Sequence, residues 1–306
     1  MKREKNRPYQ MNSISELHKV LELPKPLHPL ISVINFADIK CYSEESLRSV
    51  AYNFYGISIK RGFEGKIRYG QNYYDFDEGV MTFISPGQVM ATELDPQLKL
   101  SGWWLVFHPD FLRSFPLQKT IKTYGYFSYA VNEALHLSEK EEQTILTLLE
   151  NIQSEYASRI DQYSQNLMVS QIETLLNYCD RFYNRQFITR KPFSNDVLTR
   201  LEAFLEDYFK GDKILTQGLP TVQQVSAELN LSPHYLSDML RALTGHSTQQ
   251  HIHLYLIERS KELLTNSSLT VSEIAYELGF GHPQSFNKFF KMKTNLSPLA
   301  FRASFN

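Results

Sequence analysis

Between Leu278 and Asn306 the chain carries no Asp or Glu, yet Lys288, Lys291, Lys293 and Arg302 all lie there, with Gln284, Ser285 and Asn287 close by. Donors of these types do one kind of chemistry. They make charge-assisted hydrogen bonds to anionic oxygens, and Gln and Lys also pair with the edges of nucleic-acid bases. Wound into a helix opened by Pro283, the stretch puts Phe286, Phe289 and Phe290 on one side and Gln284, Ser285, Lys288 and Lys291 on the other. The aromatic side reads as core and not as a stacking platform. The polar side reads as anion-facing, because an ordinary solvated face mixes both signs of charge.

Other chemistries find little to stand on. Before residue 126 the only histidines are His18, His28 and His108, with no HxH pair, and the turn Ser85-Pro86-Gly87 runs into Gln88, Val89 and Met90. A metal-dependent barrel enzyme needs imidazoles and a carboxylate gathered on its strands. The one HxH in the chain is His251-Ile252-His253, in a helical stretch where residues two apart diverge, so one metal is not easily shared. No G-x-x-x-x-G-K-[ST] phosphate loop and no G-x-S-x-G nucleophile elbow occurs. The expectation is a non-enzyme with no cofactor and no metal.

Cys41 and Cys179 form no CxxC pattern, which fits a reducing compartment. The start, MKREKNRPYQMNSIS, is basic but leads into no apolar run of a secretory signal, and WWLVF at 103–107 is too short to span a bilayer. A cytoplasmic protein with no membrane partner is expected. The net charge of −1 on 306 residues excludes a globally basic nucleic-acid binder, so any such role rests on one face.

A chain this long with 42% hydrophobic residues can bury two cores. The stretches 32–36, 55–60, 66–70, 79–85 and 102–107, rich in β-branched and aromatic residues, predict short strands of a barrel or sandwich. From 138 to 185 the period becomes helical. Ser138 and Glu141 form a capping box, and a second helix carries Leu167, Ile172, Leu175, Leu176, Cys179 and Phe182. This antiparallel pair serves core packing alone or dimerisation as well. The aperiodic 185–197, with Arg190-Lys191-Pro192, reads as a linker. An amphipathic helix then covers Val197 to Phe209, with Leu198, Leu201, Leu205 and Phe209 inward, before a loop at Gly211 and Gly218-Leu219-Pro220.

The rest of the chain repeats itself. TVQQVSAELNLSPHYLSDMLRALTGHS (221–247) lies over TVSEIAYELGFGHPQSFNKFFKMKTNLS (270–297), and apolar positions coincide while exposed ones differ. Thr221 with Gln224, and Thr270 with Glu273, cap a first helix that ends at Asn230 or Gly279, residues that tolerate the left-handed conformation. Pro233 or Pro283 then opens a second helix. Each copy is therefore a helix-turn-helix, whose second helix enters a DNA major groove while the first braces it. The connector from Ser247 to about Thr265 spans on the order of 27 Å, which would set two such helices roughly one DNA turn, ~34 Å, apart. Double-stranded DNA is the expected partner.

Base-edge contacts are expected from Gln284, Ser285 and Lys288, and in the first copy from His234, Ser237 and Asp238; phosphate contacts from Arg241, Asn287 and Lys291. Asp238 would repel phosphate, but could accept from a cytosine amine or merely balance local charge. Across 221–306 seven Lys and Arg face six Asp and Glu, so binding should be salt dependent and modest for one chain.

SPHYLSDMLRALTGHS, IERSKELL, VSEIAYELGFGHPQSFNKFFK and LSPLAFR together resemble the DNA-binding domain of the AraC/XylS family of bacterial transcription regulators. The resemblance covers about 195–306, and the earlier zone is similar, more loosely, to the sensor half of cupin-containing members. It implies an α+β chain: a cupin-like β-barrel sensor and dimerisation domain over 1–185 with the helical pair at 138–185, a linker at 186–194, and an all-α DNA-binding domain over 195–306. It further implies a small-molecule effector, a homodimer and RNA polymerase as partners, and association with the nucleoid. Tyr73, Tyr74, Trp103 and Trp104 are the candidate effector-pocket residues, although aromatics there are more often ordinary core.

Overall fold

The computed structural model describes residues 8–39, 49–61, 67–69, 72–74, 79–93, 101–158, 161–211 and 213–305, with the backbone alone at 67–69, 72–74, 91–93 and 131. The chain divides into two compact units, Met1–Gln186 and Phe187–Asn306.

In chain order the first unit contains β1 (Tyr9–Met11), α1 (Ile14–Val20), β2 (Ile31–Asn35), β3 (Ser49–Tyr52), β4 (Tyr55–Arg61), β5 (Ile67–Tyr69), β6 (Asn72–Tyr74), β7 (Val80–Ile84), β8 (Val89–Glu93), β9 (Ser101–Phe107), α2 (Leu117–Thr120), β10 (Leu135–His136), α3 (Glu139–Ala157) and α4, which starts at Ser164 and ends at Thr189. The strands form two five-stranded sheets, ordered β1-β3-β8-β5-β6 and β10-β7-β4-β9-β2. All pairings are antiparallel except β1 with β3. The first unit is thus two sheets with helices, which with the helical second unit makes a mixed α+β chain, and among the described residues no strand is shared between the two sheets.

One apolar cluster joins both sheets: Met11, Val50 and Met90 come from one, Ile34, Ile84, Trp104 and Val106 from the other, and α1 adds Ile14 and Leu17. Ser58 and Thr82 lie directly opposite on paired strands and so point to the same face, where they meet as a buried hydroxyl pair at 2.6 Å in the middle of the second sheet.

Helix α4 buries Met168, Ile172, Leu175, Leu176, Cys179 and Tyr183. Leu167, expected on that side, is 53% exposed, since a residue one position from Met168 is turned by about 100° and leaves the stripe. The segment before α3 holds α4 by specific bonds. Tyr126 Oη donates to the Leu176 carbonyl at 2.9 Å, Tyr183 Oη to that of Glu133 at 3.0 Å, and the Gln186 amide bonds Ala134 and His136. Arg185 near the end of α4 pairs with Glu141 at the start of α3, at 2.5 Å, which makes the two helices antiparallel. Cys179 packs against Met81, and burial pushes its thiol pKa well up, so it is an inert core residue. Cys41 lies outside the described residues.

The second unit is helical: α5 (Lys191–Lys210), α6 (Lys213–Gln217), α7 (Val222–Leu229), α8 (Pro233–Thr244), α9 (Thr248–Asn266), α10 (Val271–Glu277), α11 (Pro283–Thr294) and α12 (Pro298–Ala303). The stretch read as a linker is helical on both sides of Arg190. Pro192 stands in the first turn of α5, where a missing N–H costs nothing, and so it opens a helix here. The inward face of α5 is Val197, Leu201, Leu205, Tyr208 and Phe209, with Leu198 only half-buried. The loop after α5 contains α6, a five-residue helix whose single buried side chain is Ile214.

The stops of the repeat are close copies. Asn230 takes φ +56° and Gly279 φ +79°. The N–H of the next residue then reaches back five positions, Leu231 to Ser226 at 3.0 Å and Phe280 to Ala275 at 2.9 Å. Gly279 is needed twice, because a Cβ there would stand 2.9 Å from Ile214 Cδ1 and 3.0 Å from the Ile214 carbonyl oxygen. Gly279→Ala should therefore destabilise the second unit by about 2–4 kcal/mol, combining left-handed strain with overpacking. Urea unfolding of the full chain checks this, and an unchanged transition would mean the turn relaxes freely.

Candidate nucleic-acid interface

The two second helices of the repeat are α8 and α11, and each is set by its own punctuation. Ser232 Oγ accepts from the Tyr235 N–H at 3.3 Å to start α8, which ends at Gly245 in the left-handed conformation. Helix α11 starts at Pro283 after His282 and ends at left-handed Asn295. Inside, Tyr235, Leu236, Met239 and Leu240 anchor α8, while Phe286 and Phe290 anchor α11. Phe289 is half-buried and meets Phe280 and the His253 ring.

The outer faces differ sharply. On α11, Gln284, Ser285, Asn287, Lys288 and Lys291 are all exposed. Among the described residues none of these five side chains is engaged in a hydrogen bond or ion pair. Five donors pointing into solvent from about two turns of helix, with no carboxylate following, make a surface fit for an anionic polymer.

On α8 the equivalents are largely spent. Ser237 is half-buried and its hydroxyl bonds Thr248 Oγ1 at 3.0 Å, tying α8 to the start of α9. Asp238 pairs with Arg241 Nη1 at 2.7 Å, so the acid expected at the bases and the base expected at phosphate hold each other. His234 remains exposed at the helix start.

Arg302, the fourth base of the acid-free stretch, does something else. Its Nε donates to the Leu264 carbonyl at 2.9 Å and its Nη2 to that of Leu269 at 2.7 Å, fastening α12 to the end of α9. Both acceptors are orphan carbonyls at or beyond a helix end, which a guanidinium fork satisfies well. Nothing in the spacing of Arg302 sets it apart from the three lysines.

His251 Nε2 bonds Thr244 Oγ1 at 2.8 Å, and His253 packs edge-on against Phe289 at 5.3 Å. Burial lowers both pKa values, helped by His246 for His251 and by Lys293 for His253, so both favour the neutral form. The two imidazoles thus have different partners. Among the described residues no group of three or more His, Cys, Asp or Glu could hold a metal, and no helix is long and apolar enough to cross a membrane.

In the first unit Trp104 is buried, stacks on Phe36 at 6.2 Å and meets Tyr52 edge-on at 5.8 Å, so it serves the core. Trp103 is half-buried. Tyr73 and Tyr74 lie on β6, and their side chains are outside the described residues. Among the described residues a small cleft opens between Thr82, Phe83, Tyr126, Tyr129, Glu133 and Tyr183, and neither Trp103 nor Trp104 lines it.

Residues 225–304 match the family described as a helix-turn-helix domain. Over 110 residues the chain is 31% identical to the HTH-type transcriptional activator RhaS of Salmonella paratyphi B, covering 36% of this chain and 37% of that protein. The chain thus spans a little over a third of the length of the curated relatives it matches. Among solved structures it is similar to the C-terminal domain of AraT, a response regulator from Geobacillus stearothermophilus, at 27% identity and TM-score 0.31, covering 35% of this chain and 84% of that one. ToxT from Vibrio cholerae O395 aligns at 14% identity and TM-score 0.31, over 90% of this chain and 97% of that one. Residues 225–304 thus carry a helix-turn-helix domain, and with the paired units described above the C-terminal part of the chain is similar to regulators of the AraC/XylS family.

Proposed function

We propose that the protein is a sequence-specific, DNA-binding transcriptional regulator, with α11 as its principal reading helix. The observation that carries this is the exposed face of α11, five unengaged polar side chains on a helix that a braced turn presents outward. Gln284, Ser285 and Lys288, near the helix start, would meet base edges, with Asn287 and Lys291 on phosphate. Helix α8 would follow in a second groove through His234, with Asp238 and Arg241 as a muted pair and Ser237 as a structural bond. The first unit, 1–185 with its helical pair, is proposed as a cupin-like sensor that takes a small-molecule effector and pairs two chains. The domain over 195–306 is then joined to it through 186–194, and RNA polymerase would be the partner at a promoter in a bacterial cytoplasm.

Selection of bound duplexes from a random DNA pool with the full chain tests the reading. Enrichment of a box, or of two boxes about one helical turn apart, supports it; no enrichment at low salt, with or without candidate metabolites, would sink it.

Two substitutions separate binding from folding. Lys288→Ala should weaken binding to the selected site by roughly 1–3 kcal/mol and leave thermal unfolding unchanged. Arg302→Ala should do the reverse, lowering Tm while the salt dependence of residual binding stays as in the parent. Equal affinity of Lys288→Ala and the parent would remove Lys288 from the contact set.

Asp238→Asn removes a repelling charge and releases Arg241, so it should tighten binding to unrelated DNA roughly threefold at low salt and steepen the salt slope by about one. Filter binding at several salt concentrations reads both. Loss of affinity at one box alone would instead assign Asp238 to a cytosine amine.

A further inference from the structure

The repeat has one feature that neither copy explains. Helix α6 belongs to no helix-turn-helix, yet it touches both. On one side Ile214 packs against the left-handed turn at Gly279, so closely that only a glycine fits beneath it. On the other side Gln217 Oε1 accepts from Gln224 Nε2 at 2.9 Å, in the first turn of α7. A third tie runs backward, where Tyr208 Oη of α5 donates to the Gly218 carbonyl at 3.1 Å and fixes the end of α6.

The two copies diverge at the position this requires. Their capping boxes are closed by Gln224 in the first and Glu273 in the second. For the cap alone the two are equivalent, since each offers an oxygen to the N-cap N–H, of Thr221 at 2.8 Å or Thr270 at 2.7 Å. Only an amide can accept from Thr221 and donate to Gln217 at once. In this domain the first turn of α7 is therefore both a cap and an attachment point.

We propose that α6 is a brace that sets the placement of the two recognition helices relative to each other, with Ile214 and Gln224 as positioning residues. Without it, the two copies are joined by α9, whose loops at Gly245-His246-Ser247 and Ser267–Thr270 each allow rotation. With it, the turn of the second copy and the first helix of the first copy share one support. Rigid placement concentrates the second helix over one groove position, so it appears as selectivity for the spacing between two DNA boxes and not as affinity for either box.

This rests on the DNA-binding reading for its consequence but not for its geometry, and two measurements keep them apart. The first needs no DNA. Nitroxides on Glu228→Cys and Glu277→Cys, in a Cys41→Ser background of the full chain, report the distance between α7 and α10. The parent should give one narrow distance peak, and Ile214→Ala a broadened or shifted one. Gln217→Leu, which keeps the cap at Gln224 and removes its acceptor, should broaden it to a lesser degree and guards against misfolding of the first variant. Identical distributions in all three chains would overturn the brace.

The second measurement uses duplexes whose two boxes are moved apart in single base-pair steps. The parent should prefer one spacing by on the order of tenfold, and Ile214→Ala should flatten that preference with single-box affinity retained. A preference as sharp as the parent's would also overturn the brace. If the parent binds no duplex at all, it is the regulator reading that fails, and the distance measurement still decides the role of α6.

Discussion

Each recognition helix points where it does because one residue before it accepts a left-handed backbone. Asn230 and Gly279 both end a first helix and turn the chain so sharply that Leu231 and Phe280 bond back five residues. The short link to Pro233 or Pro283 then leaves the second helix little freedom of direction. The same turn closes the carbonyls of the first helix, which water would otherwise have to reach. Asn tolerates this conformation with some strain and Gly with none. The copy with Gly is the one where another helix lies on the turn.

Charge in the second unit is arranged by position more than by amount. Six acids nearly cancel seven bases across 221–306, and three of those bases, Arg241, Arg259 and Lys261, hold a neighbouring carboxylate on their own helix. Arg302 is held by carbonyls. What remains is Lys288, Lys291 and Lys293, all exposed and all on α11. A nearly neutral domain thus presents a local positive face, and the two helices that look alike in the repeat are unequal in what they can offer an anion.

The first unit is organised around a different constraint, the burial of polar groups. Ser58 and Thr82 satisfy each other, and His18 sits between the Pro24 carbonyl at 2.6 Å and Ser32 Oγ at 2.8 Å. Tyr126, which packs on α4, and Tyr183, on α4 itself, each find a backbone carbonyl for the hydroxyl. Such directed bonds fix α4 in register on its sheet more tightly than apolar contact would, since a slip of one turn would leave several donors buried and unmet.

The sequence by itself determined the elements that local chemistry writes. The capping boxes at Ser138, Thr221, Ser247 and Thr270, the stops at Asn230 and Gly279, the starts at Pro233 and Pro283 and the apolar faces of α8 and α11 all follow from residues three or four apart. Strands β2, β4, β5, β7 and β9 were legible from their β-branched and aromatic residues, whereas β1, β3, β6, β8 and β10 were not, and those of two or three residues carry too little period to be seen. Tertiary structure decided the rest. Whether Arg302 meets phosphate or a helix end, whether Ser237 faces a base or Thr248, and whether Trp104 lines a pocket or fills a core depend on neighbours far along the chain. The same holds for α6, whose one buried residue has no periodic partner within the helix and gains its place only from Gly279. A side chain's type states which bonds it can make. Which of them it does make is settled by what folding brings within reach.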